Sequence, residues 1–87
     1  MSNMLLKTNP KLIMPDPITG TVEIVVNGEA RRFPEGSTLV DIVGILGLEQ
    51  DRLAIEKDRV IVRRADWART LVGPGSRLEI VQFVGGG

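Results

Sequence analysis

The sequence of 87 residues contains no cysteine, no histidine and no tyrosine, and it has no excess charge of either sign. Without cysteine, the chain has no disulfide, no thiolate nucleophile and no cysteine-ligated metal. Histidine is the commonest metal ligand and a frequent general base, so its absence makes a self-contained enzyme hard to build. The eleven basic residues are balanced by eleven acidic residues, which argues against a general binder of nucleic acid.

Long apolar runs are also absent, and no stretch approaches the roughly 20 residues of a membrane-spanning helix. The first residues lack the continuous apolar segment and the small-residue cleavage site of a secretory signal. We therefore expect a cytoplasmic protein that does not enter a membrane. The length predicts a single domain with one small core.

Residues 1–20 differ from the rest of the chain because they combine three prolines with apolar residues that follow no lasting period. Proline removes a backbone donor and biases the preceding residue toward extended conformations. We predict that residues 1–20 form a flexible extension and residues 21–84 the folded domain. Residues 85–87 would then form a flexible glycine tail.

The folded domain begins with a predicted hairpin. Residues 21–26 are β-branched and alternate, and Asn27-Gly28 favours a type I′ turn because both residues tolerate positive φ. Residues 29–33 form the returning strand, with Phe33 turned toward the core. The sequence thus predicts two antiparallel strands at the start of the domain.

A helix is predicted directly after this hairpin. Thr38 and Asp41 have the spacing of a capping box, and Gly47 suits the position at which glycine ends a helix. Apolar residues recur at helical spacing and predict one buried stripe. These residues are Leu39, Ile42, Val43 and Leu46.

The second half of the domain predicts three further strands, at residues 52–56, 60–62 and 77–83. A helical turn at residues 65–69 would place Trp67 in the core, since a lone Trp is more often a packing anchor than a ligand platform. This order predicts an α+β fold in which one main helix packs on one face of a mixed sheet of four or five strands. The first and last strands then lie parallel at the centre, which is the β-grasp plan.

The last predicted strand carries apolar side chains on both faces. Side chains alternate between the two faces of a strand, which places Leu78 and Ile80 toward the helix, and Val81 and Phe83 on the open face. Two adjacent exposed apolar side chains are typical of a docking patch, although arginine or lysine stems or the extension could cover them instead. We predict the following partner-binding residues: Val25, Val81, Phe83 and Val84.

The sequence ends on Gly85-Gly86-Gly87, directly after this strand. Glycine loses more backbone entropy on ordering than any other residue, so three in a row contribute little to a fold. They form a narrow, flexible segment whose terminal carboxylate can enter a narrow site in another protein. An ordinary frayed terminus is the alternative interpretation.

Five segments at their mutual spacings resemble the ThiS family, the small ubiquitin-like sulfur carriers of thiamine biosynthesis. They are residues 26–29 (VNGE), 34–39 (PEGSTL), 53–55 (LAI), 62–68 (VRRADWA) and 77–87 (RLEIVQFVGGG). The extension lies outside the resemblance. A second departure is Asp58-Arg59, where the family often has Asn-Gly. Because arginine takes positive φ poorly, we expect a different turn at that position.

The resemblance implies a ubiquitin-like β-grasp fold and a carrier cycle on Gly87, with Gly85 and Gly86 as the tether. An E1-like adenylyltransferase of the ThiF type would use ATP and magnesium to adenylate the Gly87 carboxylate. Sulfur from a persulfide enzyme would then produce a thiocarboxylate, which donates its sulfur to a thiazole synthase of the ThiG type. The chain is thus expected to be a protein cosubstrate rather than an enzyme, and to bind no metal, cofactor or nucleic acid itself.

Two alternatives remain open from the sequence. The small subunit of molybdopterin synthase shares the fold, the Gly-Gly end and the thiocarboxylate chemistry. A ubiquitin-like modifier, or an interaction module without sulfur transfer, would share only the fold and the tail. The segment around Trp67 and the ending Val84-Gly85-Gly86-Gly87 favour the thiamine pathway.

Overall fold

The computed structural model describes residues 20–84, and the predictions made for residues 1–19 and for the glycine tail lie outside this part of the chain. The strands are β1 (Thr21–Val26), β2 (Glu29–Pro34), β3 (Leu53–Lys57), β4 (Val60–Val62) and β5 (Arg77–Gln82). The main helix is α1 (Leu39–Leu46), and two 3₁₀ helices lie at Gln50–Arg52 and Arg64–Arg69. No helix within residues 20–84 is long and apolar enough to cross a membrane.

The strands of the described chain form one mixed sheet of five, in the order β2-β1-β5-β3-β4. β1 and β5 are parallel neighbours, and every other neighbouring pair is antiparallel. The chain reaches β5 last, so the final strand fills the centre of the sheet. This arrangement confirms the predicted mixed sheet with parallel first and last strands.

Two tight turns of the sheet use positive φ. Asn27 (φ 49°) and Gly28 (φ 85°) form the predicted turn between β1 and β2. The expectation of a different turn at Asp58-Arg59 is wrong, because these residues also take positive φ, at 50° and 73°. The backbone N–H of Asp58 donates to the Arg77 carbonyl at 2.8 Å, and the Asp58 Oδ1 accepts from the Arg77 N–H at 2.9 Å. These two bonds to the start of β5 help to hold Asp58 in the turn.

The α1 helix begins and ends as its sequence predicts. The Thr38 side chain accepts from the Asp41 N–H at 3.2 Å, and the Asp41 carboxylate accepts from the Thr38 N–H at 2.9 Å. Gly47 takes the left-handed conformation at the other end. Leu39, which begins the helix, is fully buried in the predicted stripe, whereas Leu46 is only partly buried because it lies in the last turn.

The core fills the space between α1 and one face of the sheet. Trp67 is 1% exposed, and its Nε1 donates to the Val62 carbonyl at 2.9 Å, so its ring is buried with its one polar atom paired. The predicted burial of Phe33 and Trp67 is confirmed. The other buried apolar residues of the described chain are Val22, Ile24, Val26, Leu39, Ile42, Val43, Leu53, Ile55, Val72, Leu78 and Ile80.

Candidate functional site

The two faces of β5 differ sharply in exposure. Leu78 and Ile80 are buried beneath the helix layer, whereas Val81 is 52% and Phe83 56% exposed on the opposite, open face. Val84 follows at 82% exposed. The structure therefore confirms the faces that were assigned to these side chains from the alternation along the strand. Their role in partner binding stays a prediction.

The end of β5 is held on one side by the 3₁₀ segment and β3. Gln82 pairs with Leu53, and the Phe83 N–H donates to the Arg52 carbonyl at 2.7 Å, one residue beyond the strand. Only Val84 then separates this last bond from the glycine segment. The fold thus fixes the point from which the predicted tail begins.

On the other side, Asn27 extends the contact between β1 and β5. Its Oδ1 accepts from the Ile80 N–H at 2.8 Å, and its Nδ2 donates to the Ile80 carbonyl at 3.1 Å. Its own N–H donates to the Leu78 carbonyl at 2.8 Å. The side chain therefore pairs with a strand residue as a peptide group would. The sequence analysis missed this role because the turn alone accounts for an Asn-Gly pair.

Val25 lies apart from the other predicted partner-binding residues. It shares the open face, but it is level with Arg77 at the start of β5. Val81 lies four residues further along, about 13 Å away at the rise of a parallel strand. The structure therefore brings together Val81, Phe83 and Val84, and it leaves half-buried Val25 at the far end of the strand.

The neighbouring strands add residues to the open face that the sequence analysis did not select. Ala54 lies opposite Val81, and its small side chain leaves Val81 uncovered. Ile61 on the edge strand β4 is 72% exposed and lies opposite Glu56. The run Val60-Ile61-Val62 indicates a strand, but only the sheet order shows that this strand is at the edge.

Two charged groups beside β5, Arg52 and Asp58, have partners of opposite charge. Arg52, level with Phe83, lies 3.7 Å from the Glu49 carboxylate. At the start of β5, the hydrogen bond from the Arg77 N–H and that from the Lys57 side chain lower the pKa of Asp58 below its ordinary value. Within residues 20–84, no three acidic side chains are grouped so that they could hold a metal ion.

A groove of about 500 Å³ lies in the helix layer rather than on the open face. It is lined by the end of β2, the loop that follows and the outer side of α1, including Val40 and Ile45. No residue of β5 contributes to it. The groove is therefore separate from the surface that leads to the tail.

The predicted reacting residue, Gly87, and its tether, Gly85 and Gly86, lie outside the described residues. Their role remains a prediction. What the described chain contributes is a central strand anchored on both sides, with two exposed apolar residues just before the glycines. Such a surface suits the docking of a partner that acts on the following segment.

Comparison with curated proteins gives relatives that are much longer than this chain. It is 38% identical over 66 residues to a thiazole synthase of Paramagnetospirillum magneticum (strain ATCC 700264 / AMB-1). It is 29% identical over 66 residues to a thiazole synthase of Magnetococcus marinus (strain ATCC BAA-1437 / JCM 17883 / MC-1). Each match covers 76% of this chain, which spans about a fifth (20%) of the length of these relatives.

The fold is similar to the crystal structure of a thiamine biosynthesis protein (ThiS) from Geobacter metallireducens. The TM-score is 0.66 at 23% identity, and the match covers 76% of this chain and 100% of the other. This similarity confirms the predicted ubiquitin-like β-grasp fold. The ThiS family model matches residues 23–87, three quarters of the sequence. This chain therefore belongs to the ThiS family.

Proposed function

We propose that the protein is a sulfur carrier of thiamine biosynthesis, a cosubstrate that transports sulfur on the carboxyl group of Gly87. The observation that carries the proposal is the placement of the glycine segment in a ThiS-family chain. In the sequence it follows the central strand of the sheet after only Phe83 and Val84, and Val81 and Phe83 are exposed. A partner that docks on these side chains would hold the domain while the partner acts on the glycine tail.

The names of the relatives support the thiamine pathway over the molybdopterin pathway. The matched stretch forms part of proteins named thiazole synthase. A thiazole synthase of the ThiG type is therefore the proposed sulfur acceptor. An E1-like adenylyltransferase of the ThiF type and a persulfide enzyme are the proposed activating and sulfur-donating partners.

The proposed chemistry begins with a carboxylate that is a poor electrophile. An oxygen of the Gly87 carboxylate attacks the α-phosphorus of ATP on the activating partner, where magnesium balances the phosphate charge, and pyrophosphate leaves. The terminal sulfur of a persulfide then attacks the carbonyl carbon, and AMP leaves with its electron pair. A thiol reduces the resulting acyl disulfide, which leaves a thiocarboxylate on Gly87 and a disulfide between the thiol and the persulfide enzyme.

The residue types of the tail suit this sequence of steps. Glycine carries no side chain that would hinder attack on the carbonyl carbon, and Gly86 allows the backbone to lie close to the wall of a narrow site. The chain contains no cysteine or histidine, so the partners would supply the nucleophilic sulfur and the acid–base groups. The chain itself would supply the reacting carboxylate and the surface by which partners hold it.

The direct test is the intact mass of the protein isolated from cells that make the pathway enzymes. We expect a form that ends at Gly87 and has exchanged one oxygen for one sulfur. The Gly87→Ala variant is the matched control, since a bulkier terminal residue should slow the activating partner without changing the fold. The proposal fails if sulfur-replete cells with the activating enzyme yield only the carboxylate form, or a chain that continues past Gly87.

The docking role of the open face is tested separately by truncating Phe83 and an equally exposed residue elsewhere. Phe83→Ala should weaken the complex with the activating enzyme. Ile45→Ala, on the helix layer, should leave it unchanged, because both side chains are 56% exposed but only Phe83 lies at the end of β5 that precedes the glycines in the sequence. Equal affinities for the two variants would contradict docking on this face. Covalent adducts of the protein on lysines of other proteins would instead favour a modifier.

A further inference from the structure

Two carboxylates face each other on the open face of the sheet. Glu56 of β3 lies directly opposite Glu79 of β5 in the antiparallel register. Side chains at such positions have Cβ atoms about 5 Å apart, and like charges placed there destabilise a sheet. Glu79 is exposed and Glu56 half-buried. The described chain therefore maintains an unfavourable pair of like charges on the open face of its sheet.

Neither carboxylate has an ion-pair partner within residues 20–84. Of the other eight acidic side chains of the described chain, Glu35 and Asp41 are also without an ion pair but line the groove on the helix layer, and six are each paired with a basic side chain. The paired residues are Glu23, Glu29, Glu49, Asp51, Asp58 and Asp66. Within residues 20–84, Glu56 and Glu79 are thus two neighbouring carboxylates on the open face that no ion pair neutralises.

Exposed apolar side chains border this acidic pair. Ile61, 72% exposed, lies across from Glu56 on β4, and Val81, 52% exposed, is the next residue after Glu79 on that face of β5. Phe83 follows one step nearer the tail. We call these five residues the open-face patch: Glu56, Ile61, Glu79, Val81 and Phe83. An apolar surface that includes unneutralised charge suits a protein partner of opposite charge.

We propose that the open-face patch docks a partner protein that presents an arginine framed by apolar side chains, and that the guanidinium bridges Glu56 and Glu79. This inference rests on the proposed function, because it concerns the partner that holds the domain. A planar guanidinium has five N–H donors in a fixed fork and can serve two neighbouring carboxylates at once. The apolar neighbours would exclude water and strengthen these bonds.

The acidic pair lies far enough from the tail to set the orientation of the docked domain. Glu79 precedes Val84 by five residues, about 17 Å along an extended chain. A contact at Phe83 alone would leave the domain free to rotate about that point. A second, charged contact at Glu79, about 13 Å from Phe83 along the chain, would fix the rotation of the docked domain. A partner without the basic group would leave two carboxylates desolvated and would be rejected.

The test uses Glu79→Gln and Glu56→Gln in the full chain, with the purified activating enzyme and the purified thiazole synthase as binding probes. Each variant keeps the shape of the side chain and removes its charge. Because it also removes the repulsion, the free energy of unfolding should stay the same or rise. The affinity for at least one probe should fall about tenfold or more, and its dependence on salt should become weaker.

Glu23→Gln is the matched control, since Glu23 lies on the same face of the sheet but already pairs with Arg32 at 3.8 Å. It should leave both affinities unchanged. A loss of less than about tenfold with both probes for both patch variants would overturn the proposal. A gain in affinity would also overturn it, because the basic group would then belong to this chain and compete with the partner. Failure of sulfur loading with a preserved effect on binding would refute only the proposed function.

Discussion

The side chain of Asn27 is predicted to stabilise the end of β5 from a position 53 residues away in the sequence. Asn27→Gly tests this, because glycine takes the native φ of 49° without strain and removes only the side chain. The variant loses both hydrogen bonds to Ile80. The strand pairing that remains on the β3 side should hold the fold together, so we expect a stable but weakened domain.

The magnitude follows from the two lost bonds and the added chain entropy. Each bond contributes a net stability of about 0.5–1.5 kcal/mol, since water replaces it in the unfolded chain. The new glycine adds about 0.5–1 kcal/mol by increasing the freedom of the unfolded state. The free energy of unfolding should thus fall by about 1.5–4 kcal/mol, which lowers the Tm by roughly 4–8 °C per kcal/mol for a domain of this size.

Urea unfolding followed by Trp67 fluorescence measures this loss, because the buried indole becomes exposed only when the core opens. Hydrogen exchange at the Ile80 N–H measures the loss of stability locally. This N–H should lose more protection than the other backbone amides. Asn27→Asp is the second variant: it keeps an acceptor for the Ile80 N–H but replaces the Nδ2 donor. Its stability should lie below that of the wild type. Two results together would refute the reasoning. Asn27→Gly would lower the free energy of unfolding by no more than the added chain entropy of glycine accounts for, and the Ile80 N–H would remain as protected from exchange as in the wild type.

Two further predictions concern the turn between β3 and β4. Arg59→Gly should raise the free energy of unfolding by up to about 1 kcal/mol, because glycine takes φ 73° without the strain that arginine bears there. A lower free energy of unfolding in urea would contradict this prediction. Asp58→Asn should cost stability at pH 7, and this cost should shrink as the pH falls below about 4. Because the pKa of Asp58 is lowered in the fold, its carboxylate stabilises the fold above its ordinary pKa, and this stabilisation is lost as the pH falls through the lowered pKa. The effect should be small because the Asp58 side chain is half exposed, and a stability difference that grows with acid would disprove the assignment.

Most of the fold could be predicted from the sequence because local signals and burial agree. The capping box at Thr38, the turn at Asn27-Gly28 and the alternation in β5 each depend on neighbouring residues only, so their meaning is visible without a structure. The turn at Asp58-Arg59 was predicted wrongly for a related reason. Its sequence disfavours positive φ, and the bonds that hold Asp58 come from Arg77, which is distant in the chain.

The candidate site was less predictable because its composition depends on register. The alternation of β5 placed Val81 and Phe83 on the open face, but it did not show which residue of β5 lies beside Val25. The pairing of Glu56 with Glu79 likewise follows from the antiparallel offset between β3 and β5, which no local pattern specifies. Sequence reasoning therefore predicted which face a residue occupies, and the structure was needed to show which residues meet on it.

The alternation of β5 also separates stability from the proposed function within a single strand. Leu78 and Ile80, at 1% and 8% exposed, pack beneath α1, so truncating either to alanine should cost about 2–5 kcal/mol of stability. Val81, the residue after Ile80, and Phe83, two residues further on, remain more than half exposed, and their truncation should cost far less. Because the strand is anchored by the core on one face, by Asn27 on one edge and by β3 on the other, substitutions on its open face should leave the fold intact. Under the proposed function, this anchored strand is the support that precedes the glycine tail on which the partners act.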